Sequence, residues 1–162
     1  MSKRRLGRSE LFIEPLVFGG NVFGWTLEEA PAFKVLDAYV DAGFTAIDTS
    51  DSYGKGKSET IIGNWLKARG NRDKVLIFTK VGSDMGQGHR DLSPKWIESE
   101  VEASLKRLQT DHIDLYQSHW PDPTTPQEET LRAFDRLVQA GKVRFIGSSN
   151  QDAALLGEAL AI

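Results

Sequence analysis

The feature that most constrains this chain is its alternation of short apolar runs with stretches of helical spacing. The runs fall at Leu16 to Phe18, Thr45 to Ile47, Val75 to Phe78, Ile113 to Tyr116 and Val143 to Ile146. Helical spacing fills the gaps, roughly over Leu27 to Ala42, Ser58 to Ala68, Pro94 to Leu108 and Pro126 to Ala140, with a further helix from near Ala153. The runs begin roughly thirty residues apart, enough for a strand, a helix and the return, the unit that joins parallel strands. Being apolar on both faces, such strands need cover on both sides, so the fold class is α/β with a parallel sheet. Ser93 followed by Pro94 reads as an N-cap and first helical residue, and Gly43, Gly70 and Gly141 mark three helix ends. The early LGRSELFIEP suits neither helix nor core strand and is expected to form a short hairpin.

At 162 residues and 40% hydrophobic composition the chain, residues 1–162, is read as one domain. Five units can close an open, doubly wound sheet, or they can be the first five of an eight-unit barrel, which typically needs roughly 250 residues. Spacing does not choose between them. Twenty basic against 23 acidic residues, for a formal charge of -3, imply neither nucleic acid nor an anionic membrane as partner. No apolar stretch has the length of a signal or a membrane span, so a cytoplasmic location is expected. Without cysteine there is no disulfide, thiolate nucleophile or cysteine metal site, and no metal-ligand motif appears among the other residues. The charges in ESEVEASLKR and KARGNRDK read as solvated faces.

In either architecture the loops at the carboxyl ends of the strands share one face. That rule gathers Asp48, Tyr53, Lys80 and His119, three of them at the ends of different apolar runs and Tyr53 in the AIDTSDSYGKGKSE segment behind one of them. Singly, each has an ordinary reading: an acid in a turn, a solvated lysine, a partly buried tyrosine, a satisfied histidine. Together they suggest a proton donor. A phenol is a weak acid, with an ordinary pKa of about 10, but a neighbouring ammonium favours the phenolate and a carboxylate can hold that ammonium. With no nucleophile arrangement in the chain, a proton donor facing a carbonyl points to reduction with hydride from a cofactor. GSSN at 147 to 150 offers groups for a flat carboxamide or an ordinary helix cap. Trp25 and Trp120 are candidate walls of a substrate pocket, whereas Trp65 and Trp96 are expected to pack helices on the sheet. His89 and His112 are not placed in the site.

These residues lie in text that resembles the aldo-keto reductase family: LGRSELFIEPLVFGG, AGFTAIDTSDSYGKGKSETIIGNWL, KVLIFTKVG, SLKRLQTDHIDLYQSHWPDP and LVQAGKVRFIGSSN, in that order. The resemblance implies a (β/α)8 TIM barrel, of which this chain holds the first five βα units after a short hairpin. It implies reduction of aldehydes or ketones to alcohols with NADPH. Tyr53 is then the general acid, Lys80 paired to Asp48 assists loss of its proton, and His119 orients the substrate. Ser149 and Asn150 match positions that bind the nicotinamide carboxamide, while Gly20 and Asn21 lie where the first loop meets cofactor and substrate. The partner implied is a small carbonyl compound. The family's remaining strands carry further cofactor contacts, so this chain alone is expected to be inactive, with open barrel edges that favour self-association. Two other readings stay open: a non-catalytic partial barrel serving binding or assembly, and a flavin-binding open sheet.

Overall fold

In a computed structural model that describes residues 2–162, the alternation becomes a five-stranded parallel sheet. A hairpin precedes it, β1 (Arg4–Arg5) running antiparallel to β2 (Phe12–Ile13). The sheet is β3 (Phe18–Gly19), β4 (Ala46–Asp48), β5 (Leu76–Val81), β6 (Ile113–Ser118) and β7 (Val143–Ser148). Between and after them come α1 (Glu29–Asp41), α2 (Lys57–Arg69), α3 (Pro94–Leu108), α4 (Gln127–Gln139) and α5 (Ala153–Ala161). Spatial order follows chain order, β3 and β7 forming the two edges. A doubly wound sheet reverses direction at a switch point; this one advances in a single sense, as the wall of a partial (β/α)8 barrel does.

The sheet's two faces are covered differently. Ile47, Ile77, Val81 and Tyr116 meet Leu36, Ile62, Trp65, Ile97 and Phe134 of the helices in one large core. On the other face Ala46 and Phe78 pack with Leu11, Leu6, Leu115 and Phe145, so the hairpin closes the end of the wall away from the strand-end loops. Trp65 is wholly buried and donates its indole N–H to Asp37 Oδ1 at 2.8 Å, and Trp96 packs against the same core. Ser93 Oγ accepts from Trp96 N at 3.3 Å, capping α3 ahead of Pro94.

All five strand limits differ from the apolar runs, the fourth and fifth by running on to Ser118 and Ser148. The first pairs only at Phe18 and Gly19, leaving Leu16 and Val17 exposed, because apolar character does not by itself supply a hydrogen-bonded neighbour. The second runs one residue later, to Asp48, and the third continues through Thr79, Lys80 and Val81. The polar residues stay in the ladder because their side chains find partners inside: Thr79 Oγ1 donates to Glu59 Oε1 at 2.6 Å.

The two charged segments also contain more than solvated faces. Glu59 on α2 is completely buried and takes the Arg107 Nε at 2.6 Å, while Arg107 Nη2 bonds Glu100. Arg72 reaches the buried Asp114 at 2.8 Å. A buried carboxylate needs a cation, and these arginines extend from the surface to supply it.

Candidate active site

The strand-end loops place the four predicted residues side by side. Asp48 ends β4, and Lys80 lies in β5 with only 6% of its surface exposed. Lys80 Nζ donates to Asp48 Oδ2 at 2.6 Å and to the Thr49 carbonyl at 2.8 Å, and comes within 3.3 Å of the Tyr53 hydroxyl. The same ammonium lies 4.8 Å from the centre of the Tyr53 ring. An ammonium has three hydrogens; two are fixed by protein oxygens and the third points at the phenol.

Tyr53 begins a single turn of 3-10 helix, Tyr53–Gly56, in which Gly54, Lys55 and Gly56 take left-handed φ of 58°, 55° and 86°. Glycine is favoured there because a Cβ strains left-handed backbone. At Gly54 a Cβ would also crowd the Phe23 carbonyl at 3.0 Å, which brings the loop after β3 against the tyrosine's turn.

His119 follows β6, its backbone N–H donating to the Val81 carbonyl at 2.8 Å. Its ring meets Tyr53 edge to face, with centroids 5.6 Å apart and planes at 84°. Trp120 stacks on it at 5.8 Å, and Arg90 lies 4.6 Å over Trp120. Burial, aided by Lys80 and Arg90, pushes the His119 pKa down to about 4, so the ring is neutral at pH 7. Nδ1 lies 3.0 Å from both Ser50 Oγ and Ser83 Oγ.

The other predicted residues scatter around this centre. Ser149 N donates to the Ser118 carbonyl at 2.8 Å, and Asn150 Nδ2 donates to the His119 carbonyl at 2.8 Å, which ties the GSSN loop to the histidine. Gly20 is buried and its N–H bonds the Asp48 carbonyl at 2.8 Å, whereas Asn21 is exposed. Trp120 stacks on His119, and Trp25 is 73% exposed. His89 and His112 lie elsewhere, each beside a neighbouring aspartate.

Four contributors were not singled out beforehand. Gln117 pairs with Lys80 in the sheet and its Nε2 donates to Asp48 Oδ1 at 3.4 Å. Its sequence signal was position: two residues before His119, it shares that side of the strand. Ser50 and Ser83 meet His119, and Asp51 lies in the AIDTSDSYGKGKSE segment with only the signal of a turn-forming acid. Asp51 is fully buried, and burial raises its pKa to about 7.

Comparison with known proteins bears on the family and the fold. The model of the aldo/keto reductase family matches residues 15–161. Aldo-keto reductase YhdN of Bacillus subtilis is 48% identical over 134 residues, covering 82% of this chain and 40% of the relative. Protein tas of Escherichia coli is 34% identical, covering 94% of this chain and 53% of its own length. Among solved structures, aldo-keto reductase AKR11C1 from Bacillus halodurans (holo form) superposes with a TM-score of 0.89 at 36% identity, covering 99% of this chain and 54% of that one. The glycerol dehydrogenase AKR11B4 from Gluconobacter oxydans gives 0.85 at 30% identity, covering 99% and 52%. The chain spans about half the length of these relatives. Sequence motifs, strand order and the family match agree, and the chain belongs to the aldo/keto reductase family.

Proposed function

We propose that these residues form the proton-donating side of a carbonyl reductase that converts aldehydes or ketones to alcohols with NADPH. The observation that carries the reading is the Lys80 ammonium, bonded to Asp48 and Thr49 and still 3.3 Å from the Tyr53 hydroxyl. A cation at that place favours the negative charge left on the phenol oxygen when its proton moves to a carbonyl oxygen. Asp48 keeps the ammonium from wandering, and Gln117 steadies Asp48. Neutral His119 has one ring nitrogen engaged by serines and Nε2 available to hydrogen-bond the substrate oxygen and set its angle. Trp120 offers an apolar wall for a small carbonyl compound.

The residues at the end of β7 fit a carboxamide. Ser149 offers a hydroxyl, Asn150 a side-chain amide tied to His119, and Gln151 buries an Oε1 that has no partner among the described residues, an acceptor suited to an amide N–H. Ser149 and Asn150 are the residues that would hold the nicotinamide ring's amide, with Gly20 and Asn21 bordering it from the first loop. A bound nicotinamide supplies the hydride, while the protein supplies the proton and the alignment. NADPH in preference to NADH follows from the family resemblance.

The test is Tyr53→Phe in a chain extended to the length of these relatives. Carbonyl reduction should fall on the order of 10²-fold or more while nicotinamide binding is kept, because the ring remains and only the proton donor is lost. The same assay should run faster with NADPH than with NADH. Near-unchanged turnover by the phenylalanine variant on an aldehyde would refute the assignment of Tyr53.

A further inference from the structure

Asp51 takes no part in the proton donation described above, yet it is one hydroxyl away from the histidine. Its Oδ1 accepts from Ser50 Oγ at 2.9 Å, and that oxygen lies 3.0 Å from His119 Nδ1. Its Oδ2 is buried without a partner, so the contact with Ser50 is the carboxyl's main side-chain bond. Its backbone N–H donates to the Lys80 carbonyl at 3.2 Å, fixing it against the strand that carries the lysine.

We propose that Asp51 is a positioning residue that acts through Ser50 to choose which nitrogen of His119 carries the proton. A serine hydroxyl has one hydrogen to give and two lone pairs to receive with. An ionised Asp51 only accepts, so the Ser50 hydrogen turns to Oδ1. A lone pair of Ser50 then faces Nδ1 at 3.0 Å, and a bare Nδ1 would place two lone pairs against each other. Nδ1 therefore holds the hydrogen, and Nε2 becomes an acceptor, suited to the hydroxyl of an alcohol. A protonated Asp51 reverses the chain. Its O–H donates to Ser50, the Ser50 hydrogen turns to Nδ1, and Nε2 carries the ring proton as a donor suited to a carbonyl oxygen. One proton is taken up, at Asp51; the ring loses a proton at Nδ1 and gains one at Nε2 through water, with no net change.

Ser83 Oγ, also 3.0 Å from Nδ1, serves either arrangement because its hydroxyl can accept or donate. The titratable groups acting on Asp51 are Glu59 from α2, Glu100 from α3 and Tyr116 from β6, while Lys80 of β5 meets it through the backbone carbonyl. The two glutamates oppose its ionisation, in the same direction as burial, and both are bound to Arg107.

The inference rests on the reading of His119 as the group that meets the substrate oxygen, but its test needs no turnover. Ring-nitrogen NMR of the 162-residue chain distinguishes the two tautomers, and His119→Gln identifies which of the three histidines gives the signal. The wild type should show Nδ1–H above pH about 7 and Nε2–H below it, the crossing set by Asp51. Asp51→Leu should show Nε2–H on both sides, since the Ser50 hydroxyl is then free to donate to Nδ1, and Ser50→Ala, which cuts the link to Asp51, should abolish the crossing. One tautomer throughout in the wild type overturns the proposal, as does a crossing that persists in Asp51→Leu. If the variants do not fold, the wild-type titration decides alone. Each outcome is independent of the Tyr53→Phe assay.

Discussion

Asp51 and His119 are displaced in opposite directions from their ordinary pKa values, and each displacement has a consequence for stability. Asp51 rises from 3.8 to about 7, so the folded chain keeps a proton that the unfolded chain releases. Stability from this group is full below the unfolded value and falls as pH rises to about 7. His119 drops from 6.5 to about 4, so its share is full above 6.5 and is lost as pH falls toward 4. Asp51→Asn should therefore stabilise the chain above pH about 7, by up to a few kcal/mol, and change little in acid, below the carboxyl's unfolded value. Denaturant melts at the two pH values measure this; an equal effect at both would show that Asp51 is not held protonated by burial. Asp48, Tyr53, Lys80 and His119 were legible because strand ends share a face whatever the side chains do. Ser50, Ser83 and Asp51 were not, because small polar residues after a strand look like turn-formers until the turn is seen to fold them inward.

Helix α3 shows how local signals and contacts divide the work of building one element. Its start was readable from Ser93 and Pro94, and Ser93→Ala should cost about 1 kcal/mol by leaving the Trp96 N–H without its cap. Its seating against α2 was not readable. A Cβ at Gly63 would overlap the backbone of Arg107 and Leu108, so the two helices touch where one has no side chain. Gly63→Ala should destabilise by roughly 1–3 kcal/mol despite alanine's better helix propensity, the cost being overpacking. A melt showing Gly63→Ala as stable as wild type would mean that α2 and α3 can move apart freely. The close approach also explains why Arg107 reaches Glu59: the charges of ESEVEASLKR looked solvated because periodicity shows which face is apolar, not which surface charge a neighbour's buried carboxylate recruits.

The whole molecule is an open wall. Spacing alone left the barrel and the doubly wound sheet equal, since both use the same unit; spatial strand order decides, and order is not written in any one segment. Along β7 runs an apolar cavity of about 620 Å³ lined by Leu115 and Phe145 of the sheet and by Leu155, Leu156 and Leu160 of α5 among others. Two unpaired strand edges beside exposed apolar surface favour association. Expressed as these 162 residues, the chain should therefore enlarge with concentration in light scattering and turn over little aldehyde; a monomer with full reductase activity would contradict this. The β7 edge also writes a pattern into amide hydrogen exchange. Ser149 N–H bonds β6, and strand alternation turns the N–H groups of Phe145 and Gly147 the same way, leaving those of Arg144, Ile146 and Ser148 facing outward. Every second amide should exchange quickly in a bare edge and slowly once another strand docks, so β7 is a built-in gauge of whatever completes the sheet.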